Sequence, residues 1–300
     1  MLTGIHILLT YSCTSECDHC FLNCSPTARG TFTVSHLAEA IREASKISSI
    51  EWVYFEGGEP FLFYPLMLHG IRIARDLGLE TGVVTNSYWA TSPENAVLWL
   101  QPLRELGVGD LSLSDDAFHH GEGEDNPAKI ALAAAQKLGF PAGTICIMLP
   151  TRADRANSAE SKGRPVIGGN VMYRGRAVEK LTAGLARTPW QKLTECPHED
   201  LESPQRVHLD PFGNVHVCQG LCMGNIWEDS LSELVANYFP AAHPICGPLI
   251  RGGPAQLARE HNVAHEEGYA DECHMCWEVR KRLIDRWPQY LAPKQVYGLA

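Results

Sequence analysis

Between residues 4 and 149, short apolar runs alternate five times with helical patterns, and this alternation most narrows the folds open to the chain. Gly4 to Thr10, Ile50 to Glu56, Leu79 to Thr85, Asp110 to Ser114 and Gly143 to Leu149 each read as a short strand. Helical patterns cover Val34 to Ile47 and Pro65 to Leu77, the second closed by Gly78. Ser92-Pro93 and Asn126-Pro127 each supply a side-chain cap and a first-turn proline for two further helices, which end at Leu106 and before Gly139. Strands joined through helices pair in parallel, and the helices cover the sheet. Such sheets bind ligands beyond the carboxyl ends of their strands, so chemistry is expected in the loops that follow them.

After Thr151 the pattern loosens. Residues 151–170 are polar and Gly-rich, Asn170 to Ala177 is expected to be a sixth strand, and Arg206 to Cys218 reads as a hairpin turning at Pro211-Phe212-Gly213-Asn214. Helices are expected over Leu231 to Tyr238 and Cys273 to Arg286, and a boundary near residue 185 divides the chain into 1–185 and 186–300. No run approaches the roughly 20 apolar residues that span a bilayer. Ile5 to Leu9 is too short for a signal segment and no Lys or Arg precedes it, so a cytoplasmic location without membrane contact is expected. The net charge of -10 argues against nucleic acid as a partner.

Eleven cysteines are a heavy load for a reducing compartment, where clustered Cys hold metal or do chemistry more often than they form disulfides. Cys13, Cys17 and Cys20 stand at C-x3-C-x2-C spacing in the loop after the first strand. Three thiolates there can hold three corners of a four-iron cluster and leave one iron open, while a zinc knuckle completed by His19 or a distant Cys is the alternative. A second group comprises Cys196, Cys218 and the pair Cys273-x2-Cys276, which can close either a four-iron cluster or an all-cysteine zinc site. Of the rest, Cys146 inside the fifth strand is expected to be a buried apolar residue. Cys222 is a possible replacement among the second group, and Cys24 and Cys246 are candidate hydrogen-atom or proton donors. Arg280, Lys281 and Arg282 are expected on a solvated helix face, with docking of an acidic electron donor as the alternative. His119-His120 is expected in a polar surface loop with Glu122, Glu124 and Asp125.

The cysteine triad resembles the signature of the radical S-adenosylmethionine (SAM) superfamily. Gly57-Gly58-Glu59-Pro60, after the second strand, resembles that family's loop whose backbone meets the methionine amino group of SAM. His19 stands where members often carry an aromatic residue near the adenine; Asn86, Ser112, Ser114 and Asp116 match positions that commonly touch ribose and methionine carboxylate. With Gly57, Gly58 and Glu59 these are the SAM contacts that the resemblance implies. It also implies a partial (β/α)6 barrel, an α/β fold to which Asn170 to Ala177 adds the sixth strand. Reductive cleavage of SAM to a 5′-deoxyadenosyl radical, which takes hydrogen from a substrate, is the implied chemistry.

The second cysteine group, with Gly213-x4-Cys218, Gly175-Arg176-Ala177 and Gly224-Asn225-Ile226, resembles the twitch and SPASM extensions of that superfamily. No Cys follows Cys276, so the likeness is to the one-cluster twitch type, a small extension of hairpin plus helices holding one auxiliary [4Fe-4S] cluster. The implied substrate is a ribosomally made peptide undergoing cross-linking, epimerisation or oxidation, with dehydrogenation of a small molecule such as an amino sugar as the alternative. A flavodoxin or ferredoxin is the implied electron donor. Because strand one starts so near the first residue, no N-terminal peptide-recognition domain is expected. The rival from another class is a non-catalytic zinc or electron-transfer iron-sulfur protein.

Overall fold

The computed structural model describes residues 1–121, 123, 126–150, 162–163 and 168–299. Its first half alternates β1 (Gly4–Thr10), α1 (Val34–Ser45), β2 (Trp52–Gly57), α2 (Tyr64–Asp76), β3 (Glu80–Thr85), α3 (Pro93–Glu105) and β4 (Asp110–Ser114). A short helix α4 (Ala117–His120) precedes α5 (Pro127–Lys137), β5 (Ala142–Met148), β6 (Gly168–Asn170) and α6 (Arg176–Leu181). The second half contains β7 (Thr188–Pro189), β8 (Arg206–Leu209), β9 (Asn214–Cys218), β10 (Leu221–Asn225), α7 (Leu231–Ala236), α8 (Cys246–His261), β11 (Gly268–Tyr269) and α9 (Glu272–Leu283).

The helices begin where the capping residues place them. Thr33, Ser92 and Asn126 each accept a backbone N–H in the first turn of α1, α3 and α5, and the latter two helices open on proline. In α1, Leu37, Ala38, Ala40, Ile41 and Ala44 form one buried stripe against the sheet, at the three- and four-residue spacing a half-buried helix requires.

Strands β1 to β6 pair in parallel and in sequential order. On the other side of β1 lies β8, also parallel, followed by antiparallel β9 and β10. Among the described residues the result is one nine-stranded sheet with order β10-β9-β8-β1-β2-β3-β4-β5-β6, open at β10 and β6 rather than closed into a barrel. The expected hairpin therefore extends the sheet at β1. Among the described residues no helix is long and apolar enough to cross a membrane.

One expectation needs correction. The expected strand Asn170 to Ala177 ends at Asn170, and Arg176 opens a helix. Gly175 adopts a positive φ of 62°, and a Cβ there would stand 2.4 Å from the Cys20 carbonyl oxygen, so the chain turns hard against the cysteine loop at a point only glycine fits. Helix α8 falls in a stretch for which no element is expected, and it contains Gly252-Gly253-Pro254. Those residues do kink it, with Gly253 at φ 61°, while Leu249, Ala255, Leu257 and Ala258 on either side are buried.

Register places a row of polar residues across the sheet. His216 faces His208, His208 faces His6, His6 faces Tyr54, Tyr54 faces Gly82, and Gly82 faces Asp110. Side chains at these positions share one face of the sheet. Val53, Phe55, Leu111, Leu113, Val207 and Leu209, one residue out of phase, are fully buried on the other face.

Candidate active site

A cavity of about 460 Å³ opens on that polar face. Its wall includes all three thiols of the first motif, and Cys13 and Cys17 are buried. Backbone bonds fix the loop that carries them: Cys13 N–H donates to Ser25 O at 3.0 Å and Cys20 N–H to Cys17 O at 3.1 Å. The buried Arg176 guanidinium donates from Nη1 to Cys17 O and from Nη2 to Cys24 O, each at 2.7 Å, and its backbone N–H donates to Cys20 O at 2.9 Å. One residue thus ties the loop's two halves together. Burial, first of all, pushes the Cys13 thiol up to about 12, so ionising it needs a compensating positive charge at the site. Hydrogen bonding from Cys24 lowers the Cys20 thiol.

The loop after β2 is locked to the cysteine loop. Gly58 N–H donates to Thr10 O at 2.7 Å and Glu59 N–H to Ser12 O at 2.9 Å. A Cβ on Gly58 would stand 2.1 Å from the Ser12 carbonyl oxygen, so the backbones could not approach with any other residue. Gly57, Gly58, His19, Asn86, Ser112, Ser114 and Asp116 all line the cavity. Asn86 Nδ2 donates to Thr14 Oγ1 at 2.9 Å and lies 3.6 Å from Cys13 Sγ, which keeps it beside the triad.

Glu59 behaves differently from these seven. It is fully buried, absent from the cavity wall, and accepts from Phe61 N, Thr85 Oγ1 and Asn86 N at 2.8 to 3.0 Å. Its carboxylate clamps the loops after β2 and β3 together.

His19 stacks on Phe118 at 4.4 Å and meets the edge of His119 at 5.1 Å, an aromatic shelf on the cavity wall. Burial holds the His19 imidazole down at about 4. Asp116 caps α4 through Phe118 N and His119 N and binds His119 Nδ1 at 2.8 Å. Burial opposes charge on His119, but Asp116 and Cys17 outweigh it and raise the imidazole to about 10. His119 therefore belongs to the cavity rather than to a surface loop, because the cap at Asp116 curls the chain back inward. Glu122, Glu124 and Asp125 lie outside the described residues.

The second cysteine group is also assembled. Burial, then Cys218 and Cys276, push the Cys196 thiol up to about 12. Cys273 is raised by burial and by Asp271, with Cys196 and Cys218 adding to it, so the four thiols share one neighbourhood. Arg174 Nη1 donates to Cys218 Sγ at 3.2 Å and to Glu199 at 3.1 Å, and it also lines the cavity. Arg280 is 1% exposed, packs on Trp277 and Tyr297, and donates to Gln219 O at 3.1 Å. This corrects the expected solvated face, since α9 turns Arg280 inward onto the group while Lys281 pairs with Glu179. Two buried guanidiniums beside four thiols fit a cluster whose thiolates carry excess negative charge.

The Cys222 thiol lies 3.5 Å from Ala292 O and 3.7 Å from His216 Nδ1. Cys246 flanks the set and accepts from Tyr238 Oη at 3.4 Å. Cys146 is exposed, against the expected core position, because only Ile145 and Ile147 of β5 face the cavity and Cys146 falls on the opposite side. His6, Glu56 and His208 also line the cavity, and no sequence motif marks them, since no short spacing links residues on three separate strands.

Comparison with known proteins gives three findings. The model of the Radical SAM superfamily matches residues 7–160. YydG of Bacillus subtilis (strain 168), whose name assigns it provisionally to peptide biosynthesis, is 22% identical over 264 residues, covering 87% of this chain and 75% of YydG. Among solved structures, native anSMEcpe with bound AdoMet superposes with a TM-score of 0.50 at 12% identity over 99% of this chain and 98% of that one. BtrN in complex with AdoMet and 2-DOIA gives a TM-score of 0.47 at 17% identity over 79% of this chain and 83% of that one. The anSMEcpe likeness establishes a shared fold.

Proposed function

We propose that this chain, which belongs to the radical SAM superfamily, uses Cys13, Cys17 and Cys20 to hold the SAM-binding [4Fe-4S] cluster and modifies a ribosomally made peptide. One observation carries the reading: three thiols on a single pinned loop face a cavity that is also lined by the Gly57-Gly58 backbone, locked to that loop. When bound, SAM on the reduced cluster supplies a 5′-deoxyadenosyl radical that abstracts hydrogen from the substrate. The chain's residues do the rest. Arg176 holds the cysteine loop, and Gly57, Gly58, Asn86, Ser112, Ser114 and Asp116 present polar atoms and backbone to SAM. His19, backed by Phe118, offers a flat face to the adenine. Glu59 keeps the loops in register.

Cys196, Cys218, Cys273 and Cys276 hold one auxiliary [4Fe-4S] cluster of twitch type, with Arg174 and Arg280 offsetting its charge. Residues 1–185 thus serve SAM and 186–300 the auxiliary cluster, and Arg174 touches both the cavity and Cys218. A flavodoxin or ferredoxin supplies the electron. The likeness to YydG supports a peptide, processed by cross-linking, epimerisation or oxidation.

The test is a triple Cys13→Ala, Cys17→Ala, Cys20→Ala variant, reduced and given SAM. It should form no 5′-deoxyadenosine while the auxiliary cluster stays visible by EPR, and continued 5′-deoxyadenosine production would sink the assignment. Incubation with peptides encoded beside the gene tests the substrate class: a mass change in one of them supports the reading.

A further inference from the structure

On the polar face of the sheet the same cavity holds a second set of ligating atoms that the proposed function does not use. His6 of β1, Glu56 of β2 and His208 of β8 come from three adjacent strands. Register sets His6 opposite both Tyr54 and His208, and Glu56 sits two residues beyond Tyr54 on the same face, where its carboxylate reaches both imidazoles. Glu56 Oε2 lies 3.3 Å from His6 Nδ1 and Oε1 lies 3.1 Å from His208 Nε2. One ligand atom from each residue lies within 4.8 Å of the others. All three residues line the cavity.

Hydrogen bonding between these groups leaves one fact unexplained. His6 is 8% exposed and its Nδ1 is fully buried, yet among the described residues that atom has no hydrogen-bond partner, because the ring is not aligned with the carboxylate 3.3 Å away. The ring is held in this attitude by stacking on Tyr54 at 4.8 Å and an interplanar angle of 14°. Tyr54 in turn lies flat over Gly82, where a Cβ would stand 2.2 Å from its ring. Arg206, two residues before His208, spends its guanidinium on Glu199 and Gly163 O.

Two imidazole nitrogens and a carboxylate oxygen are a donor set for divalent first-row metals. Bonds of about 2.1 Å to such a metal set neighbouring ligand atoms roughly 3.0 to 3.4 Å apart, and each Glu56 oxygen stands at such a separation from one imidazole nitrogen. We propose that His6, Glu56 and His208 form a further metal site, which binds one divalent cation of the zinc or ferrous-iron class with its open positions facing the cavity. The cation acts as a Lewis acid that anchors a carbonyl or carboxylate oxygen of the substrate. Only this last role rests on the function proposed above; the metal site itself does not.

The test uses the full chain, reconstituted anaerobically with iron and sulfide, desalted and equilibrated with zinc sulfate. Wild type should retain one zinc per chain after a second desalting, and Glu56→Gln and His208→Gln should each lower zinc retention at least tenfold with iron content unchanged. Zinc K-edge absorption of the wild type supplies a readout that needs no variant: nitrogen and oxygen neighbours with imidazole scattering are expected. Sulfur neighbours at about 2.3 Å would place the zinc on cysteines and overturn the site. So would wild type that retains no zinc, or retention that survives both substitutions. Failure of SAM cleavage in a protein that holds this zinc would count against the proposed function alone.

Discussion

Removing the guanidinium of Arg176 should loosen the cysteine loop far more than a surface arginine would. Its side chain is 8% exposed and makes two 2.7 Å bonds to Cys17 O and Cys24 O. Hydrogen bonds from a charged donor contribute about 1.5 to 3 kcal/mol each, and the two share one group, so about 3 kcal/mol for both is a conservative figure. The contact with Glu16 at 3.7 Å adds little, because that carboxylate is 66% exposed and screened by water. If iron leaves through opening of the loop, about 3 kcal/mol raises the open population on the order of a hundredfold. Arg176→Met should therefore lose the SAM-binding cluster to a chelator about a hundred times faster than wild type. Arg176→Lys, which keeps the charge but reaches one carbonyl, should fall near tenfold. EPR with and without SAM separates this cluster from the auxiliary one, whose loss rate should not change. Both variants shedding iron at the wild-type rate would refute the clamp.

Gly58→Ala should abolish SAM cleavage even where the protein folds, because its Cβ would lie 2.1 Å from Ser12 O and force the two loops apart; calorimetric binding of SAM checks it. Reconstituted wild type should carry about eight irons, while Cys273→Ala with Cys276→Ala should carry about four and Cys24→Ala should keep about eight; a colorimetric iron assay decides. Stability should also respond to pH through His243. Its Nδ1 accepts from Ile245 N and Cys246 N and its Nε2 donates to Cys222 O, so burial holds the folded imidazole neutral, at about 4 against an ordinary 6.5. The unfolded chain then takes up the proton first, and the stabilisation, complete above 6.5, fades as pH falls toward 4. From about pH 7.5 to about 5.5 the loss is about 1.4 kcal/mol, and denaturant titration should show His243→Gln losing less over that range.

The pattern of alternating strands and capped helices located β1 to β5 and α1 to α3 within two residues, since apolar spacing and side-chain caps act inside a single element. The strand expected through Ala177 stops at Asn170, and Gly175 then turns the chain against the cysteine loop at a point that only glycine fits. Helix α8 holds across its Gly-Gly-Pro kink because both halves bury apolar faces. His119 and Arg280 read as solvated because charge and neighbouring polar residues are the only local cues; which way each side chain turns depends on Asp116 and on the packing of α9.

The sequence by itself determined the α/β alternation, the thiol triad after the first strand and the glycine loop after the second, because each is written within about ten residues. Only the tertiary structure decided that β8 pairs with β1. That pairing joins Gly4 to Arg206 and His6 to His208, and turns the C-terminal hairpin into part of the sheet. The same folding brings Arg174 onto Cys218 and Arg176 onto Cys17. Partners about 45 to 200 residues apart leave no local periodicity to read, since their meeting is set by strand register and by burial summed over the whole core.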